Sequence, residues 1–129
     1  VTVFQRLPID ADEGFPQAFR LVFAGRDYRF RLYANIAEEV LAAADGPLDL
    51  PSDRAFLVLA VDREEIGGTV PILRRKLVPG IVYAAHELVL TFVTLRLDPR
   101  NLNAAGAFGS SVVGGVASAD PAGAGGAAA

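Results

Sequence analysis

Apolar and polar side chains alternate along FRLVFAGRDYRFRLY, residues 19–33, on both sides of a Gly25-Arg26-Asp27 break. Phe19, Leu21 and Phe23 fall on one face of the first arm, and Tyr28, Phe30 and Leu32 on one face of the second. A period of two is that of a half-buried strand, so the stretch predicts a β-hairpin. Arg20, Arg29 and Arg31 then lie on the opposite face, where a solvated exterior is the simplest use for them. IAEEVLAAA, residues 36–44, changes to helical spacing and stops at Asp45-Gly46-Pro47, which predicts a short helical insert at about 36–45.

DLPSD, residues 49–53, reads as a loop, and AFLVLAV, residues 55–61, as a strand in the middle of a sheet. Gly67-Gly68 marks a turn, and TVPILRRKLV, residues 69–78, resumes extended structure with Pro71 tolerable on an edge. After the Pro79-Gly80 turn, IVYAA and ELVLTFVTLRL predict a strand pair or one bent strand. Alternation puts Leu88, Leu90, Phe92 and Thr94 on one side, with Val89, Thr91, Val93 and Leu95 on the other. Both sides are apolar, so burial of both is expected, by the core or by a neighbouring subunit.

These elements predict a mainly β fold, a small antiparallel β-sandwich or open barrel with one short helical insert. Beyond Pro99 the composition shifts. NLNAAGAFGSSVVGGVASA, residues 101–119, is uncharged and rich in glycine, alanine and serine, and ADPAGAGGAAA, residues 119–129, is of low complexity. The chain is therefore divided into a β domain, 1–100, and an extended Gly/Ala-rich C-terminal interaction arm and tail, 101–129. Leu102, Phe108, Val112, Val113 and Val116 are the arm's apolar candidates for protein contact, with Phe108 as its anchor.

Composition narrows the function by exclusion. With 129 residues the chain is most simply one domain, and 52% hydrophobic with 21% charged residues places it among globular proteins. A net charge of -3 gives no field to concentrate a polyanion, so nucleic-acid binding is not expected. Residues 1–10 lack a signal peptide's basic start and apolar run, and the densest apolar run, LVLTFVTL, is bracketed by Glu87 and Arg96. A soluble domain without membrane contact is the expectation.

The residue types that chemistry needs are scarce. There is no cysteine and one histidine, His86, too few nitrogen and sulfur ligands for a zinc site. Ser110 and Ser111 lie outside any G-x-S-x-G elbow. The acids at Asp10, Asp12 and Glu13, at Glu38-Glu39 and at Glu64-Glu65 suit turns and exposed faces better than a catalytic pair. GAFGSSVVGGV lacks both the lysine of a phosphate loop and the G-x-G-x-x-G fingerprint. No catalytic residue, metal site or cofactor is expected. Arg74, Arg75 and Lys76 are the densest positive spot, explained at least as well by edge protection as by anion recognition.

The hairpin F-x-L-x-F-x-G-R-x-Y-x-F-x-L-Y-x-N, the strand FLVLAV, the run closing in LVPG and the final glycine-containing segment resemble the small baseplate plug proteins of tailed bacteriophages and phage-tail-like particles. The resemblance spans residues 15–116 and is clearest over 19–35. Against that family's pattern the chain carries the insert 36–53, and Phe56 where a tryptophan-bearing strand is usual. The resemblance implies a non-enzymatic virion component at the tail hub near the central channel, folded in the host cytoplasm and docked on other tail and baseplate proteins. Two other readings stay open. One is a free-standing β-barrel module with a ligand cavity lined by Tyr28, Phe30 and Phe92; the other is a membrane-active virion segment at 101–119.

Overall fold

The computed structural model describes residues 3–119. Two antiparallel sheets pack face to face around one apolar core, forming a small β-sandwich. The front sheet has the order β2 (Gln17–Phe23), β3 (Arg26–Ile36), β5 (Ala55–Glu65), β6 (Gly68–Lys76). In the back sheet, β1 (Gln5–Arg6) pairs with β9 (Ser111–Ser118), and β9 with β8 (Leu88–Leu97). The far side of β8 is shared by β7 (Val82–Ala85) and the two-residue β4 (Leu48–Asp49).

The hairpin follows its alternation. β2 and β3 pair in unbroken register from Gln17 with Leu32 to Phe23 with Arg26, and the turn uses positive φ at Ala24 and Gly25. Tyr28, Phe30 and Leu32 are fully buried, and Phe30 stacks on Phe19 with centroids 5.0 Å apart. β5 is an inner strand whose Leu57, Leu59 and Val61 are also fully buried. The expected helix is α1 (Glu38–Ala43), capped by Ala37 without a side-chain hydrogen bond and touching the core only through the partly buried Val40.

Two features of the back sheet correct the sequence reading. A bulge at Val93, between the pairs Phe92 with Gly114 and Thr94 with Val113, reverses the alternation of β8. Leu88, Leu90 and Phe92 face the core, but beyond the bulge the inward residues are Leu95 and Leu97, and Thr94 turns outward with Val113. The core therefore covers only one side of β8; Val93 is 67% exposed.

The second correction concerns the C-terminal boundary. Residues 111–118 are an inner strand with partners on both sides, so 101–119 is part of the sandwich and no arm separate from a 1–100 domain. The loop before β9 is fixed as well. Buried Asn101 donates to the carbonyls of Ala104 and Gly106, its Oδ1 accepts from Ser110 Oγ at 2.6 Å, and its own carbonyl accepts from the Phe15 amide. Residues 120–129 of the expected tail lie outside the described residues.

Glycines at two adjacent positions explain why so small a sequence makes an inner strand. A Cβ on Gly114 would lie within 3.0 Å of three ring atoms of Phe92, and one on Gly115 would lie 2.8 Å from the Cβ of Phe4. Gly114 thus admits Phe92 to the core, and Gly115 lets Phe4 lie across the sheet's outer surface.

Candidate functional site

The sandwich has two outer surfaces of opposite character. On the front sheet, alternate positions of β2, β3 and β5 carry Arg20, Arg29, Arg31, Asp62 and Glu64. Arg20 and Arg29 both reach Glu64, and Arg31 donates to Asp62 at 3.1 Å. Charges of both signs interleaved across neighbouring strands keep that surface hydrated, each pair adding little to stability.

Among the described residues, the back sheet's outer surface carries no such network. Register and alternation bring Thr91 and Val93 of β8 and Val113 and Gly115 of β9 to this side, with Phe4 and Arg6 along the β1 border. Together they line a shallow depression of about 300 Å³. Val82 of β7, opposite Thr91, stands beside it and is 59% exposed. Among the described residues, charge reaches this surface at its borders, at Arg6 and at the Arg96–Asp49 pair, whose Nε–Oδ1 distance is 3.0 Å. The depression's floor is glycine and threonine between ridges of valine and phenylalanine.

The sequence-predicted contact residues do not gather there. Val112 and Val116 face inward and are 4% and 0% exposed. Leu102 packs against the core beside Phe15. Phe108 lies under the Arg100 guanidinium, 4.5 Å from ring centroid to Cζ, with Gly106 against its edge. Of the five, Val113 lines the depression, and Leu102 and Phe108 are half-buried elsewhere on the molecule. As contact candidates, Val112 and Val116 are thus corrected to core side chains, because the strand carrying them is folded into its own sheet. Phe4 and Val82 carry no signal of contact in the sequence, whereas Thr91 and Val93 lie on the second apolar face of LVLTFVTL, expected to be buried by the core or by a neighbouring subunit.

The densest polar cluster lies between the two sheets. Glu87, in the turn between β7 and β8, accepts from Tyr28 Oη at 2.7 Å and from Arg63 Nη1 at 2.7 and 2.9 Å, with Arg26 3.5 Å away. Burial pushes the Glu87 carboxyl up, but the hydrogen bonds from Tyr28 and Arg63 outweigh it and bring the pKa down to about 2. Burial, then the bond to Glu87, pushes the Tyr28 phenol up to about 12. The carboxylate is held ionised and the phenol neutral, so neither exchanges a proton near neutrality. The cluster instead ties the front sheet to the back sheet.

A pH dependence follows. A carboxyl whose folded pKa lies below its ordinary 4.5 contributes stability above that value, and loses it as pH falls through about 2. Glu87→Gln is expected to lower stability by about 1–3 kcal/mol at pH 6, partial exposure screening the pair. The gap to wild type is expected to narrow between pH 4.5 and 2, as chemical denaturation at each pH will read. A gap that stays constant with pH contradicts the role given to this carboxylate.

Among the described residues no group of three or more His, Cys, Asp or Glu is placed to hold a metal ion, and no helix is long and apolar enough to cross a membrane. His86 sits in the β7–β8 turn at a positive φ of 55°. Ser110 Oγ donates to Asn101 and accepts from the Asp98 amide. Tyr28, Phe30 and Phe92, expected on one reading to line a ligand cavity, are core side chains with no exposed surface. Of the run 101–119, offered on another reading as a membrane-active segment, residues 111–118 are an inner strand of the back sheet. No protein-family model, curated protein or solved structure matches the chain.

Proposed function

We propose that the chain is a non-enzymatic structural component of a phage tail or tail-like particle, a plug-like subunit at the baseplate or hub near the central channel. It folds in the host cytoplasm and docks on other tail proteins through the outer surface of its back sheet. One observation carries the docking role: one face of the sandwich carries an ion-pair network, while the other presents Phe4, Val82, Val93 and Val113 and, among the described residues, charge at its borders alone. Contiguous apolar surface of this kind marks an interaction site on a small domain, and a subunit covers it on assembly. The tail assignment rests on the resemblance of the hairpin at 19–35 and of the strand sequence that follows it.

Val93→Glu is the direct test. The side chain is mostly exposed at a bulge, so the substitution is expected to change stability by no more than about 0.5 kcal/mol. A charge buried without a partner in an interface costs several kcal/mol, so incorporation into purified particles is expected to fall at least about tenfold. Immunoblots of particles against total cell protein measure it. Normal incorporation of a folded Val93→Glu chain contradicts docking through this face, and a gene flanked by metabolic rather than tail-tube and hub reading frames contradicts the tail assignment.

A further inference from the structure

Three consecutive cations on the free edge of the front sheet stand apart from the rest of the molecule's charge. Apart from Arg6, every arginine outside this run has a carboxylate partner, whereas Arg74, Arg75 and Lys76 have none among the described residues. Each lies over an aromatic ring instead: Arg74 over Tyr33 at 5.3 Å, Arg75 over Tyr83 at 5.4 Å and Lys76 over Phe56 at 4.9 Å. The rings hold the charges in place without neutralising them.

The opposite edge of the same sheet presents the complement. Gln17, Leu32, Leu59 and Arg75 form one row across the four strands, so Gln17 of β2 and Arg75 of β6 end it on opposite sides. Gln17 Nε2 donates to the carbonyl of Asp10 at 2.9 Å and to that of Gly14 at 3.0 Å, which holds the turn bearing Asp10, Asp12 and Glu13 beside that row. None of these three acids has a cationic partner among the described residues, and Asp10 and Asp12 are linked only by an amide-to-carboxylate bond of 3.0 Å.

We propose that the occupant of the basic edge is a second copy of this chain, joined head to tail, with residues 72–75 of β6 against β2 and the side chains of Arg74, Arg75 and Lys76 facing the acidic turn of the neighbour. Three features favour this partner. The front sheet has four strands, each antiparallel to the next, so β2 and β6 run in opposite directions and a copy placed alongside continues the antiparallel order. Phe19, Leu21 and Phe23 on β2, and Val70 and Leu73 on β6, are only partly buried against the core and become covered when the edges meet. Pairing of β6 with β6 would instead set like charges against each other, which excludes a two-fold contact here. Pro71 lacks an amide hydrogen, and the Lys76 carbonyl already accepts from Tyr83 Oη at 3.1 Å, so the backbone join is restricted to the residues between them. A contact between two different patches closes into a ring or runs on as a filament, according to the rotation per copy. The contact leaves the back-sheet surface free.

Sedimentation velocity of the full chain tests it. At about 0.01 M NaCl, where the Debye length is about 30 Å, species larger than the monomer are expected to grow with concentration; at about 1 M, where it is about 3 Å, they are expected to disperse. Neutralising all three cations (R74Q, R75Q, K76Q) is expected to weaken association at least about tenfold, with far-UV circular dichroism unchanged. A charge-reversed edge (R74E, R75E, K76E) and a charge-reversed turn (D10K, D12K, E13K) are each expected to be monomeric alone and to associate when mixed. A wild-type chain that stays monomeric at low salt overturns the proposal, as does association indifferent to both salt and neutralisation. The salt series needs no variant, so the test holds even if an edge substitution impairs folding.

Discussion

A chain ending at Arg100 is expected not to fold. The truncation removes β9, and with it the buried Val112 and Val116 and one whole side of β8 from Leu88 to Arg96. Burying each valine is worth about 1.5–3 kcal/mol. The larger loss falls on Leu90, Phe92 and Leu95, whose partners across the sheet disappear. A domain of this size has about 5–15 kcal/mol in total, which such a loss exhausts. The truncated protein should show no cooperative urea transition and a weakened β signal by circular dichroism. A chain ending at Ala119 keeps every interaction described above and should unfold cooperatively. Cooperative unfolding of the 1–100 chain would instead restore the reading of 101–119 as a separable arm.

The second large effect lies where β8 and β9 touch most closely. Phe92→Ala empties a fully buried site and is expected to cost about 3–5 kcal/mol. Gly114→Ala pushes a methyl into the ring of Phe92 and is expected to cost about 1–3 kcal/mol. The two positions compete for one volume, so Phe92→Leu with Gly114→Ala should lose less than the sum of its single changes, by about 1 kcal/mol or more. Denaturant midpoints at constant m-value measure the cycle. Strict additivity would mean that Gly114 is present for some reason other than admitting Phe92.

That contact also explains what was hard to read. The hairpin at 17–36 was legible because both arms alternate over long runs and Gly25 marks the turn; each residue's face follows from its own segment. The central position of β5 followed from its continuous apolar run for the same reason. β9 gave no comparable signal. Glycine weakens a strand taken by itself, so SVVGGVAS looks like a linker until Phe92 and Phe4, more than twenty residues and more than one hundred residues away in the chain, are known to press against it. The bulge at Val93 was hidden similarly, since an extra residue leaves the composition of LVLTFVTL unchanged while moving Thr94 outward and Leu95 inward. β1 and β4 are two-residue strands, too short to show any period.

The candidate surface was less legible than the fold. Loose small-residue composition drew attention to 101–119, and the structure uses most of that segment internally. What remained open was the outer side of the same sheet, assembled from β1, β7, β8 and β9, which lie far apart in sequence. The contrast with the front sheet could emerge only once Glu64 and Asp62 were seen to neutralise Arg20, Arg29 and Arg31 across strands.

The absence of cysteine from the chain makes the docking role directly measurable. Val93→Cys places a single thiol on the bare back-sheet surface, and Ile66→Cys places one at the fully exposed tip of the β5–β6 hairpin as a reference. Maleimide labelling of the free chain should proceed at similar rates at both sites. In assembled particles, labelling at position 93 should be slowed at least about tenfold relative to position 66 if the surface is buried against tail proteins. Equal labelling of position 93 in the free and assembled protein would contradict the account.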